Sequence, residues 1–300
     1  MPRHAVNDDT EPDSSSRRRQ RLAAGAVTLL VAGAATVGVV AAVSRSGADP
    51  DPSPTQLQPS AGSSAQQPDP EPSSPRPPDI VDASPTTGDP AGWRTIFYDD
   101  FGRNALAPEW GAYSGQPGGN PYGRWEKDNV VVGNGSLVLH SEIAGGRIVT
   151  GGVSLHDVAQ TYGKWEVRLR VASSADIKWV ALLWPLSERW PQDGEINFGE
   201  DDGGNRSAYS AFLHWGDVDT KIQRNMSGVD MTQWHTVGVE WTAGRIDYLL
   251  DGQVWTTIDG PNVPTKPMWL ALQTEAQRYP STTTALADLE VDWVRVYEPA

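Results

Sequence analysis

The chain has no cysteine, so no disulfide can brace it and no thiolate can serve as nucleophile or metal ligand. Its first ninety-two residues contain no aromatic side chain; all thirteen Trp, eight Tyr and four Phe lie from Trp93 onward. A packed core is therefore expected only over 93–300, about the size of one all-β domain. Positive charge is scarce, with 24 Lys and Arg against 38 Asp and Glu and a net charge of −14. That balance excludes nucleic acid as a partner and argues against the folded domain adhering to anionic lipid. Histidine is rare as well. His140, His156 and His235 are scattered without zinc spacing and read as structural.

The aromatic-free part divides into three. Residues 1–21 are polar and end in Arg17-Arg18-Arg19-Gln20-Arg21. Leu22 to Val43 carry no charge and are rich in Ala, Val, Gly and Leu. As a helix this run would be roughly 33 Å long, enough to cross a bilayer. The basic cluster before it places the N-terminus in the cytoplasm and the rest outside. A cleaved signal peptide, processed near Ala41-Ala42, is the competing reading; the length of the run favours an uncleaved anchor. Residues 44–92 hold twelve prolines among Ser, Gln, Asp and Gly. Such a segment cannot bury enough surface to order itself, and it reads as a disordered tether.

From Trp93 the texture is that of short strands. Ile96 to Phe101 is strand-like. Asn129 to Leu139 reads as a hairpin turning at Asn134-Gly135, and Ile246 to Trp255 as another turning at Asp251-Gly252. Trp165, Val167, Leu169 and Val171 alternate with Glu166, Arg168 and Arg170, and Val291 to Tyr297 forms a closing strand. No segment sustains an apolar stripe of helical period. The pattern predicts an all-β sandwich.

One stretch organises the rest: Trp190-Pro191-Gln192-Asp193-Gly194-Glu195-Ile196-Asn197-Phe198-Gly199-Glu200. Ile196 and Phe198 alternate with Glu195 and Asn197, but strand parity points Glu200 to the opposite face. A bulge at Phe198–Gly199 would restore it and bring both glutamates and Asn197 to one face. Two carboxyl groups on one open face are the minimum equipment for glycoside hydrolysis.

Glu195-Ile-Asn-Phe-Gly-Glu200 resembles the Glu-x-Asp-x-x-Glu signature of family-16 glycoside hydrolases, the laminarinase and lichenase group, and Trp190-Pro191-x-x-Gly194 resembles its lead-in. Tyr162-Gly163-Lys164-Trp165-Glu166-Val167-Arg168, Trp234-His235 through Glu240-Trp241, and Val291 to Tyr297 are similar to further strands of that family in the expected order. The resemblance spans 93–300. It implies a concanavalin-like jelly-roll β-sandwich, with Glu195 as nucleophile and Glu200 as acid/base of a retaining mechanism. Charge on Glu195 is then expected to keep Glu200 protonated. The family's middle acid is Asn197 here. An amide cannot ionise, but it can donate a hydrogen bond to Glu195 and hold its rotamer.

The same resemblance puts Trp190 beside the site. Trp184, His214, Trp215, Gln273 and Glu275 are candidate substrate-binding residues, with ordinary core packing an equal reading for Trp184 and Trp215. No metal or cofactor is needed for the chemistry, although Asp99-Asp100 and Asp292 could hold a structural Ca²⁺ if they are not simply exposed strand-end acids. The implied protein is a monomeric, membrane-tethered, extracellular retaining endo-β-glycanase acting on β-1,3- or β-1,3-1,4-glucan. The alternatives are a transglycosylase of a surface polysaccharide and a non-catalytic carbohydrate-binding protein on the same scaffold.

Overall fold

The computed structural model describes residues 88–118 and 120–300. The basic N-terminus, the apolar run 22–43 and the tether up to residue 87 lie outside the described residues.

Two antiparallel sheets face each other. The first runs, in spatial order, Thr220–Ser227, Ala208–Trp215, Glu195–Asp201, Ile177–Pro185, Met268–Ala276, Gly152–Gln160 and Gly111–Ala112. The second runs Gln253–Asp259, Arg245–Leu250, His235–Thr242, Gly163–Val171, Leu289–Pro299, Ser136–Leu139 and Val130–Gly133, with Trp93–Asp99 added against Leu289–Pro299. A small third sheet of Gly123–Trp125, Arg147–Thr150 and Glu142–Ala144 is not paired with either but packs on strand Met268–Ala276 of the first. The all-β sandwich is thus present. Both predicted hairpin turns occur where expected, with positive φ at Asn134, Gly135, Asp251 and Gly252. That is the twist a two-residue hairpin needs and the reason for its Asn-Gly or Asp-Gly sequence.

Alternation sorts the side chains. Trp165, Val167, Leu169 and Val171 of the second sheet meet Trp179, Ala181, Leu183, Ile196, Phe198, Leu270 and Leu272 of the first in one buried cluster. The opposite, outer face of the first sheet has a smaller apolar cluster of Val180, Leu182, Trp184, Trp269 and Ala271, joined by Tyr113 and Trp125. Strand Ile177–Pro185 is therefore buried on both faces, which explains its nearly unbroken apolar sequence. Lys178 is the exception within it.

The acids suggested for Ca²⁺ are otherwise engaged. Asp99 is buried and accepts from the Phe101 N–H, Arg103 and the Trp110 indole, so it is not an exposed strand-end acid. Asp292 accepts from Arg168 Nε at 3.0 Å. His140 and His235 lie against Asp288 and Asp251.

Candidate active site

Glu195–Asp201 carries an extra residue exactly once removed from its neighbours' count: Ala181 pairs with Gly199 but Leu182 with Asn197, and on the other side Asn197 pairs with Phe212 but Glu200 with Ser210. This is the bulge that parity required, at Phe198–Gly199. Phe198 stays in the core. A Cβ on Gly199 would come within 2.6 Å of the Trp179 ring, so this position must be glycine because of packing rather than because of its φ. Beyond the strand, the buried Arg206 guanidinium pairs with Asp201 and donates to the carbonyls of Ala172 and Ile177, fixing the turn that follows Glu200.

The register then assembles the outer face. His214 pairs with Glu195, Phe212 with Asn197 and Ser210 with Glu200 on one side. On the other, Val180 pairs with Glu200, and across the next strand Val180 pairs with Gln273 and Lys178 with Glu275.

Glu195 is only 1% exposed. One oxygen accepts the Trp190 indole N–H at 2.6 Å, while the other has no donor among the described residues. Burial pushes its carboxyl up to about 8; the charge of Glu200 adds to this, and the Trp190 indole opposes it. Burial also raises Glu200, against the Lys178 ammonium and the Asn197 amide, which favour its charged form. Both carboxyls are thus raised chiefly by burial; Glu195 has no cation beside it, whereas Lys178 favours charge on Glu200.

Asn197 differs from expectation. Its Nδ2 donates to Glu200 at 2.7 Å, so the amide fixes the second glutamate of the motif rather than the first. Its Oδ1 is buried without a partner, as is the free oxygen of Glu195.

The other candidates fall into different places. Trp184 is buried on the outer face, stacks on Trp190 with ring centroids 6.0 Å apart and an interplanar angle of 10°, and donates to Glu188. It is a support beneath Trp190 rather than an open platform; such a stack adds about 0.5–1.5 kcal/mol beyond its buried area. His214 is within 6.2 Å of the Trp190 ring and its Nδ1 meets Asp219 at 2.6 Å. Burial lowers its pKa and Asp219 only partly offsets this, so His214 is neutral near pH 7. Gln273 and Glu275 are buried near Glu200 and hydrogen-bonded to each other at 2.8 Å. Trp215 is not brought to this group. It lies on the opposite side of its strand from His214 and packs on the main core. A cavity of about 290 Å³ opens beside Glu200, lined in part by Asp202, Ser210, Phe212, Gln223 and Asn225.

Sequence reasoning missed Lys178, Asn120, His156 and Asp219. His156 lies over Trp269, with ring centroids 5.8 Å apart, at the edge of the outer face. Lys178 did leave a sign, as one charge in an otherwise apolar strand. Asn120, which donates to Glu275 at 2.8 Å from a loop, left none.

The chain is 22% identical to the endo-β-1,3-glucanase of Pyrococcus furiosus, with a TM-score of 0.61 over 69% of this chain and 95% of that one. It is 26% identical to the endo-1,3-1,4-β-glycanase ExsH of Rhizobium meliloti over 54% of this chain, and 23% identical to the clotting factor G alpha subunit of Tachypleus tridentatus over 69%. The matches span only 36% and 34% of those two relatives. The model of the family described as glycosyl hydrolases family 16 matches residues 120–295, which include the bulged strand and both of its glutamates, and the chain belongs to that family.

Proposed function

We propose that the protein is a retaining endo-β-glycanase that hydrolyses β-1,3- or mixed β-1,3-1,4-glucan outside the cell, as a monomer held at the membrane through residues 22–43. The observation that carries this reading is the bulge, which places Glu195 and Glu200 on one face with Asn197 holding Glu200 between them. Glu195 attacks the anomeric carbon while Glu200 protonates the departing oxygen; Glu200 then takes a proton from the water that releases the sugar. Only the form with the proton on Glu200 starts this sequence. The names of two of the relatives above, an endo-β-1,3-glucanase and an endo-1,3-1,4-β-glycanase, support the substrate class.

The full-length protein should release oligosaccharides from laminarin-type or mixed-linkage glucans, with the β-anomer formed first in a proton NMR time course. Glu195→Gln and Glu200→Gln should each lower cleavage by on the order of 10³-fold or more while leaving the circular dichroism unchanged. Near-full activity in either variant would remove these residues from the chemistry. Asn197, an amide where the resemblance leads one to expect an acid, favours one second reading, a carbohydrate-binding protein. Glucan binding by the wild type with no product would establish it.

A further inference from the structure

Lys178 is the single charge in a nine-residue strand whose every position is buried. It lies two residues from Val180, the direct partner of Glu200, and so projects from the same outer face. Its ammonium is 3.6 Å from Glu275 Oε2, longer than a direct hydrogen bond. Both Glu275 oxygens already have closer donors: Gln273 on Oε1 and Asn120 on Oε2, each at 2.8 Å. Glu275 is therefore held in place from two sides, and its position beside Lys178 outweighs the burial that would discharge the ammonium. A lysine in such a place costs free energy unless its charge is used.

The charged neighbours of Glu200 are few. Glu195 lies on its own strand, Lys178 on the next, Glu275 on the one beyond, and Asp202 in the following turn. On the other side, Ser210 and Asn225 are uncharged. Lys178 is the one cation in this set.

We propose that Lys178 is a positioning residue for Glu200: clamped by Glu275, its buried ammonium steadies Glu200 as a carboxylate in the half-reaction where Glu200 takes a proton from water. In that step the water oxygen bonds to the anomeric carbon, the bond from that carbon to Glu195 breaks, and its electron pair returns to the Glu195 carboxylate. The water proton goes to Glu200. Glu200 must be charged at the outset, beside Glu275 and Asp202 and half-buried, and Lys178 supplies the compensating charge. The cost falls on the first half-reaction, which needs the same group protonated.

The inference rests on the glycanase reading, and one arm of its test is independent of substrate. Carboxyl ¹³C NMR of full-length protein labelled in glutamate would follow Glu200, identified as the resonance lost in Glu200→Gln. In Lys178→Met its ionisation should move to higher pH, on the order of one pH unit. In Lys178→Arg it should stay close to wild type. In Glu275→Gln it should move the opposite way, because one anion is lost and the lysine charge is freed. Kinetically, the acidic limb of kcat should move up in Lys178→Met when release of the sugar is rate-limiting. A merely structural lysine would lower the melting temperature and leave these limbs in place.

Unchanged Glu200 titration in Lys178→Met, alongside normal cleavage by the wild type, overturns the role of Lys178. If that variant does not fold, Glu275→Gln decides, and a shift to higher pH there overturns it equally. The expected titration shifts with no glucan cleaved would instead sink the glycanase reading and the water-activating step with it.

Discussion

A carboxyl that is 1% exposed, with one oxygen lacking a donor, is a local liability. Glu195 ionises at an ordinary 4.5 when unfolded and at about 8 when folded. Between those values the folded chain keeps a proton that the unfolded chain has released, so stability is full below the lower pH and falls as pH rises through the upper one. Glu200, also raised, acts in the same direction. Glu195→Gln removes the larger part of this burden. It should leave the melting temperature near wild type at pH 5 and raise it by roughly 5–10 °C at pH 9, corresponding to a few kcal/mol. An equal difference at both pH values in calorimetry would mean that Glu195 is not shifted. Asn197 fits the same picture: a middle carboxylate here would add a third acid beside two whose ionisation is already hindered.

At the level of the strand, Gly199 is where fold and site meet. Gly199→Ala should push the Trp179 ring or undo the bulge, costing about 1–3 kcal/mol, or roughly 3–10 °C in melting temperature, and lowering cleavage more than stability alone explains. Wild-type melting and activity in that variant would show that the bulge does not depend on this contact. The bulge was legible because parity is a strict rule: two acids five residues apart can share a face only if one residue is extra. The hairpins were legible for a similar reason, since Asn134-Gly135 and Asp251-Gly252 tolerate backbone angles that few other pairs do. The burial of Glu195 was not legible. It goes with Trp190, a loop residue that donates to Glu195 and stacks on Trp184 of the neighbouring strand. The resemblance offered Trp215 together with His214, with core packing an equal reading for Trp215, and strand alternation explains the outcome: one residue step separates core from outer face. Lys178 and Asn120 act through Glu275, a partner some hundred and fifty residues from Asn120 along the chain. No local pattern announces such a pairing.

For the whole molecule, the proposed anchoring through residues 22–43 can be tested directly. If residues 22–43 remain as an anchor, full-length protein should stay in the membrane fraction through a high-salt wash and leave it only with detergent. Recovery of a soluble form beginning near residue 44 would establish a cleaved signal peptide instead. The folded part itself has one further property. Trp93 pairs with Pro299, and the N–H of Ala300 donates to the Gly92 carbonyl at 3.0 Å, so the two ends of the domain leave from a single point on the second sheet. The acids lie on the far face of the other sheet. The sandwich is in effect a closed ring with one gap, and the gap lies behind the face that carries the glutamates: a short peptide could seal Ala300 to Gly92, and new ends could be opened at the exposed Asn134-Gly135 turn, without moving Glu195, Asn197 or Glu200.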